Sequence, residues 1–159
     1  MQIRKANDAD LGEIRNLLNE HGLPVEDVSM TLIEGFLVAE NASGMVVGSG
    51  GLERIGSSAL LRSIALKSEW RGTGVARELV GRLGDNARLL GQQEVWLLTT
   101  TAERFFERAG YERVSRDEVP GEIRLCRQFA VLCPSTATCM RKMLLPKLSP
   151  AVVERPVSS

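Results

Sequence analysis

The sequence predicts a single α/β domain, and three observations support this fold class. Its 159 residues fall within the usual range for one compact domain. A composition of 43% hydrophobic and 25% charged residues is typical of a globular protein with one core. Apolar strand patterns alternate with amphipathic helix patterns along the chain, as in α/β proteins. With no internal repeat in view, we expect one domain over residues 1–145 and a flexible, proline-containing tail over 146–159.

The first third of the chain predicts a strand, a helix and a hairpin. Residues 2–5 form a short strand candidate, and Asn7 or Asp8 is the expected N-cap of an amphipathic helix. The apolar positions of that helix are Leu11, Ile14, Leu17 and Leu18. A shorter helix is expected around 28–33. Residues 36–55 then predict a β-hairpin, because apolar and β-branched residues flank the turn sequence NASG.

The remaining two thirds predict alternating strands and helices. Residues 59–66 read as a central strand covered on both faces, since only Arg62 and Ser63 interrupt the apolar run. The longest helix is expected over 73–90, followed by Gly91 as its terminator. The later elements are a strand at 95–100, a short helix at 102–109 ended by Gly110, a strand at 111–114, a loop with a helical piece over 117–132 and a final strand from Ala137.

Charge and apolar patterning exclude several classes of partner. Twenty Lys and Arg residues balance twenty Asp and Glu residues, so no overall positive field would attract nucleic acid. The longest apolar stretches fall far short of the roughly 20 residues that cross a bilayer, so we expect no membrane span. The N-terminal sequence MQIRKANDAD lacks the apolar segment of a secretion signal. We therefore predict a cytoplasmic protein.

Cysteine and histidine usage gives no indication of a metal site. The three cysteines, Cys126, Cys133 and Cys139, match neither a disulfide framework nor the paired CxxC of a zinc site. We expect reduced, structural thiols, with a three-thiolate trap for As(III) as the alternative. The single histidine, His21, stands at the expected end of the first helix, where a cation is favourable, so we predict a capping role.

A glycine-rich turn between the central strand and the long helix is the most informative motif. In RGTGVA, residues 71–76, Gly72 and Gly74 leave the backbone N–H groups free to point at an anion, and the helix N-terminus adds positive potential. Arg71 supplies a guanidinium for phosphate oxygens. The turn lacks both the GKS or GKT ending of a nucleotide P-loop and the GxGxxG spacing of a dinucleotide fold. We predict a phosphate site of another kind, with a plain tight helix start as the alternative.

The same turn resembles the R/Q-x-x-G-x-G/A signature of the GNAT superfamily of acetyl-CoA-dependent N-acetyltransferases. AERFFERAGY is similar to a later segment of that family, with Ala102, Phe105, Gly110 and Tyr111 in register. The resemblance extends from residue 2 to about 144. It implies a mixed, mostly antiparallel central sheet of six to seven strands, flanked by helices and splayed between the fourth and fifth strands.

The resemblance also implies acetyl-CoA as co-substrate and no metal. The pantetheine arm would lie along the strand at 64–66 and the pyrophosphate in the turn. The implied cofactor contacts are Ile64, Ala65, Leu66, Arg71, Gly72, Thr73, Gly74, Val75, Ala76, Thr99 and Phe105. Many members carry Asn where Thr99 stands, and Tyr, as the acid that protonates the leaving thiolate, where Phe106 stands. Because Phe106 has no proton to donate, water or a hydroxyl such as that of Thr99 or Ser135 is expected to replace it.

An amine acceptor is protonated at neutral pH, and removing that proton costs roughly 3 to 4 kcal/mol. Glu53 is the candidate base, with a solvated strand-end carboxylate as the alternative. Arg62, in a covered strand, needs an anionic partner, either a substrate carboxylate, arsinate or phosphinate or a carboxylate of the protein. Ser63 is a candidate hydrogen-bond donor to the substrate or the acetyl carbonyl. Arg124 and Ser135 are further candidates for substrate contact.

A narrower resemblance suggests the acceptor. LLRSIAL and LCPSTA resemble the small ArsN-type N-acetyltransferases associated with arsenic-resistance operons. This implies acetylation of the primary amine of a small amino-acid-like substrate, such as the glutamate mimics arsinothricin or phosphinothricin, by a homodimeric detoxifying enzyme. The alternatives are an acetyltransferase that acts on a protein N-terminus or lysine, and a non-catalytic CoA-binding or arsenical-sensing protein.

Overall fold

A computed structural model of the protein describes residues 1–23, 25–124 and 137–144. They form a seven-stranded sheet in the order β1-β2-β3-β4-β5-β7-β6, with helices on both faces. The strands are β1 (Gln2–Lys5), β2 (Phe36–Glu40), β3 (Val46–Ile55), β4 (Ser58–Leu66), β5 (Glu94–Thr99), β6 (Glu112–Arg113) and β7 (Thr138–Met143). The α-helices are α1 (Leu11–Glu20), α2 (Val75–Leu89), α3 (Glu103–Arg108) and α4 (Gly121–Arg124).

The expected splayed sheet is confirmed. Every neighbouring pair of strands is antiparallel except β4 and β5. These two parallel strands pair only where Ser58–Leu60 lies beside Glu94–Trp96, although both continue further. Their unpaired halves leave an opening in the middle of the sheet, next to the N-terminal end of α2.

The core lies on both faces of this sheet. On the α2 face, Leu61 of β4 and Leu97 of β5 pack with Leu83 of the helix. On the opposite face, Leu60 and Trp96 pack with a segment that includes α4. Alternate residues of β4 thus serve different layers, which explains why this strand is apolar along nearly its whole length.

The predicted N-cap Asn7 caps a short 3-10 turn that leads into α1, whose own N-cap is Asp10. The turn spans Asp8–Asp10, and the Asn7 side chain accepts a hydrogen bond from Ala9 N at 3.0 Å. The Asp10 carboxylate accepts one in return from Asn7 N at 2.8 Å. These reciprocal bonds form a capping box that satisfies amides at the helix start.

The prediction of a helix around 28–33 is wrong. Residues 28–31 are irregular or in a turn, and the only helical piece in this segment is the 3-10 turn Leu32–Gly35. Arg15 donates two hydrogen bonds to the carbonyl of Val28, at 3.1 and 2.7 Å, so a side chain takes the acceptor that a helix would use. Burial of Val28 and Ile33 against α1 then holds the segment as an irregular loop.

Two element boundaries also differ from expectation for local reasons. Helix α2 begins at Val75 rather than at residue 73, because Gly74 adopts the left-handed φ of +88°. Strand β6 has two residues rather than four, because the Tyr111 amide donates to Phe106 O at the end of α3. The predicted tail and the later part of the 117–132 segment lie outside the described residues. Among the described residues, no helix is long and apolar enough to cross a membrane.

Candidate active site

The splay between β4 and β5 opens into a cleft of about 630 Å³. Most of the residues predicted for the site line it: Arg62, Ser63, Ile64, Ala65, Leu66, Arg71, Ala76, Thr99 and Phe105. They come from β4, the glycine-rich turn, β5 and α3. The structure therefore brings together groups that the sequence placed on four separate elements.

The glycine-rich turn forms an open cradle beside the cleft. Gly72 and Gly74 have φ values of +75° and +88°, which glycine adopts without steric penalty. Apart from the glycine itself and its two chain neighbours, no residue has an atom within 4 Å of the position that a Cβ would take at either site. The first helical hydrogen bond of α2 runs from Glu78 N to Gly74 O. The backbone amides just before Glu78 therefore have no partner within the helix and can donate to a ligand. Gly72, Thr73, Gly74 and Val75 form this turn, and its geometry fits an anionic group such as a pyrophosphate.

A β-bulge interrupts β4 where the acetyl group is expected. Ser49 pairs with Ala65 and Gly51 pairs with Arg62, so Ser63 and Ile64 together face the single residue Gly50. A Cβ at Gly50 would lie 2.7 Å from Cδ1 of Ile64 and 2.9 Å from Cδ1 of Leu83, so glycine at this position leaves room for these two side chains.

Arg62 is fully buried and paired with carboxylates of the protein. Its Nη1 and Nη2 donate to the two Asp27 oxygens at 2.6 and 2.7 Å, and Nη1 also donates to Glu53 Oε1 at 3.2 Å. Burial by itself lowers the pKa of the guanidinium, but hydrogen bonds and charge from Asp27 and Glu53 raise it above its ordinary value. Of the two kinds of anionic partner left open by the sequence, the described structure shows the protein carboxylates.

The candidate base Glu53 lies beside Arg62 but not on the wall of the cleft. Its side chain lines a second groove, of about 660 Å³, together with Thr31 and Leu32. Its side chain is a quarter exposed. Arg62 thus lines the cleft and also donates to Glu53, whereas Glu53 itself is not part of the cleft lining.

His21 contributes more than the predicted helix cap. It is the C-cap residue of α1, and its amide N–H donates to the last carbonyls of the helix. Its Nε2 lies 2.6 Å from the carbonyl oxygen of Leu66, so Nε2 carries the proton of that hydrogen bond. The imidazole lines the cleft and joins α1 to the end of β4. No local sequence pattern indicated this contact.

The aromatic residues of α3 follow the sequence prediction closely. Phe106 is buried against Phe105 and Tyr111, with ring centroids 5.0 and 5.8 Å apart in edge-to-face geometry. Thr99 lies at the end of β5 and accepts a hydrogen bond from Ala102 N at 3.0 Å, which leaves its hydroxyl proton available. Thr99 therefore offers a hydroxyl donor at the cleft.

Several predicted residues lie outside what the structure describes. Ser135, Cys126 and Cys133 are among them. The structure describes the backbone of Arg124, at the end of α4, but not its side chain. The substrate contacts proposed for Arg124 and Ser135 therefore stay predictions. Cys139 is buried, and burial raises the pKa of its thiol to about 11. This supports a structural role for that cysteine. In the described ranges, no group of three His, Cys, Asp or Glu side chains is arranged to hold a metal ion.

Comparison with known proteins places this chain in a family. The model for the acetyltransferase (GNAT) domain matches residues 33–113. A curated relative named amino-acid acetyltransferase, from Mycobacterium tuberculosis, is 31% identical over 139 residues, covering 81% of this chain and 79% of that protein. Proteins of the same name from Pseudomonas aeruginosa are 30% identical over 127 residues, which cover 75% of this chain but only 29% of theirs. This chain therefore corresponds to less than a third of their length.

Solved structures share the fold. A Mycobacterium tuberculosis protein in complex with CoA superposes with a TM-score of 0.79 at 24% identity, covering 91% of this chain and 100% of the other. N-acetylglutamate synthase from Neisseria gonorrhoeae, complexed with coenzyme A and N-acetyl-glutamate, gives a TM-score of 0.78 at 21% identity, covering 91% and 35% of the two chains. Together with the family match and the splayed sheet, these results show that the chain belongs to the GNAT family of acetyl-CoA-dependent N-acetyltransferases.

Proposed function

We propose that this protein transfers the acetyl group of acetyl-CoA to the α-amine of a small amino acid, with glutamate and its mimics as the leading acceptors. The observation that carries the proposal is the cleft between β4 and β5, which meets the strand bulge at Ser63 and the cradle at 71–76. The names of the relatives support the acceptor class, because the alignment with one protein named amino-acid acetyltransferase covers 79% of that protein.

On the cofactor side of the cleft, the glycine-rich turn and the end of β4 would each bind a different part of acetyl-CoA. The amides of residues 72–76 and the Arg71 guanidinium would hold the pyrophosphate, because both present positive charge to an anion. Backbone groups of Ile64, Ala65 and Leu66 would bind the pantetheine arm like an added strand. When bound, acetyl-CoA supplies an activated acyl carbon. The N–H of Ile64, at the bulge, would stabilise negative charge on the acetyl oxygen.

The transfer forms a C–N bond and breaks the C–S bond of the thioester. The ammonium of the acceptor must first lose a proton, which we assign to Glu53 through water. The nitrogen loses its second proton as the amide forms, and the leaving CoA thiolate takes up one proton, either from water or relayed by the hydroxyl of Thr99, which regains its own proton from the nitrogen or from water. A thiol of pKa about 8.5 is a tolerable leaving group near neutral pH, so the absence of tyrosine at Phe106 leaves this step feasible.

The narrower expectations form part of the same proposal. An arsinate or phosphinate analogue of glutamate as acceptor, a part in arsenic resistance and a homodimeric state all rest on the resemblance to ArsN-type enzymes, whereas the cytoplasmic location rests on the sequence alone. Because the guanidinium of Arg62 already meets two carboxylates, a substrate anion would reach it only by displacing one of them. Arg124 and Ser135 are then the remaining predicted contacts for that anion.

Thiol release from acetyl-CoA tests the proposal. Purified protein is offered L-glutamate, phosphinothricin, arsinothricin and a peptide with a free N-terminus, each at the same concentration. We expect CoA release with at least one of the three amino acids at a rate at least tenfold above the peptide. Faster release with the peptide, or none with any amine despite CoA binding, would contradict the proposed acceptor. Size-exclusion chromatography with light scattering tests the homodimer.

A further inference from the structure

Ser63 stands out because of its backbone. With φ of +59°, it is the one non-glycine residue with positive φ in the described part of the chain. A residue with a Cβ keeps such a conformation only where the surrounding structure imposes it. Ser63 also lies in the bulge of β4, directly before Ile64, whose N–H the proposed function assigns to the acetyl oxygen.

Two hydrogen bonds hold the bulge in this conformation. Ser49 Oγ donates to the carbonyl of Ser63 at 3.0 Å, from the neighbouring strand. Arg62 Nε donates to the hydroxyl of Ser63 at 3.2 Å, from the preceding residue. The carbonyl and the side chain of Ser63 are thus each fixed by a separate partner.

Arg62 is itself held from a distant part of the chain. Asp27, in the loop between α1 and β2, accepts two parallel hydrogen bonds from its guanidinium. The Arg62 side chain has no exposed surface, and that of Asp27 is 14% exposed. Bidentate pairing of a buried guanidinium fixes its plane as well as its position, and so fixes the direction of Nε.

We propose that Asp27 is a positioning residue for acetyl transfer, acting through Arg62 on the hydroxyl of Ser63 to keep the bulge of β4 in its catalytic shape. Asp27 is not among the residues that line the cleft. It links the loop after α1 to the strand that binds the acetyl group. The inference rests on the proposed function in one respect, that the acetyl oxygen meets the bulge.

A double-mutant cycle separates this relay from a general structural role. The variants are Asp27→Asn, Ser63→Gly and the double variant, with kcat and KM measured for acetyl-CoA. Glycine keeps positive φ without strain and removes the hydroxyl through which Asp27 acts. We expect Asp27→Asn to lower kcat about tenfold in the wild-type background and less than twofold in the Ser63→Gly background. An equal loss in both backgrounds would overturn the proposal.

The chain offers a matched control pair. Arg4 and Asp10 also meet through two hydrogen bonds, at 2.8 and 3.0 Å, and neither residue lines the cleft. Asp10→Asn should lower the melting temperature while kcat stays within twofold of wild type, in both Ser63 backgrounds. A tenfold loss of kcat in Asp10→Asn would show that breaking any such pair is enough, and would overturn the specific role of Asp27.

A binding measurement keeps the inference distinct from the choice of acceptor. Affinities for acetyl-CoA and for CoA are compared by calorimetry, which needs no amine. We expect the affinity for acetyl-CoA, divided by the affinity for CoA, to fall at least threefold in Asp27→Asn. The same ratio should be unaffected by Asp10→Asn. An unchanged ratio in Asp27→Asn would overturn the inference even if amino acids are acetylated. A reduced ratio without turnover of any amino acid would instead overturn the proposed acceptor alone.

Discussion

The imidazole of His21 and the carbonyl of Leu66 lie 2.6 Å apart, joining the end of α1 to the end of β4. Leu66 belongs to the strand segment predicted to bind pantetheine. The contact therefore connects the end of α1 to the backbone of β4 that lines the cleft.

Replacing His21 by alanine should weaken the fold measurably. Loss of this hydrogen bond is expected to lower the free energy of unfolding by about 1 kcal/mol. Urea denaturation at pH 7 measures the change, with Asn16→Ala, an exposed substitution on the same helix, as the control. Equal stability of the His21 and Asn16 variants would show that the contact contributes nothing.

Replacing Gly74 by alanine should impair cofactor binding. At φ of +88°, a Cβ is disfavoured by roughly 1 to 2 kcal/mol, so the turn must change shape. We expect the KM for acetyl-CoA to rise about tenfold. Gly81→Ala is the matched control, because Gly81 lies within α2 with open space around it, and alanine is favoured in a helix. A KM equal to that of Gly81→Ala would remove the turn from the cofactor site.

Acid should weaken the pair formed by Arg4 and Asp10. Hydrogen bonding to Arg4 lowers the pKa of the Asp10 carboxyl below its ordinary value. The pair therefore adds stability above the unfolded-state pKa of about 3.9, and that stability is lost as the pH falls toward the lower folded-state pKa. The difference in unfolding free energy between wild type and Asp10→Asn should be constant from pH 6 to 7 and shrink below about pH 4. A difference independent of pH would exclude the charged pair as its source.

Replacing Tyr111 by phenylalanine should not destabilise the protein. The Tyr111 hydroxyl is buried without a hydrogen-bond partner among the described residues, and burial raises its pKa. A buried hydroxyl left unpaired costs free energy, so its removal should leave the melting temperature equal or higher. The control is Phe106→Leu, which should lower the melting temperature because it removes a ring packed against two others. Destabilisation by Tyr111→Phe would reveal a partner for the hydroxyl.

The sequence predicted the elements that carry a local pattern. Apolar and β-branched residues on either side of the NASG turn identified the hairpin of β2 and β3, and the glycines at 72 and 74 identified the turn before α2. Asp27 had no such signal, because its partner Arg62 lies 35 residues away and one acidic residue in a loop resembles any other. The bulge was missed for a similar reason, since Ser63 adopts a backbone conformation that glycine usually marks.

Competition between acceptors tests the central claim most directly. Wild-type protein is given acetyl-CoA labelled with ¹³C in the acetyl group, together with L-glutamate, phosphinothricin, arsinothricin and a peptide with a free N-terminus at equal concentrations. Mass spectrometry then locates the label. The account predicts labelled acetyl on the α-amine of a free amino acid, with little on the peptide. Label that accumulates on the peptide, or on none of the four, would contradict it.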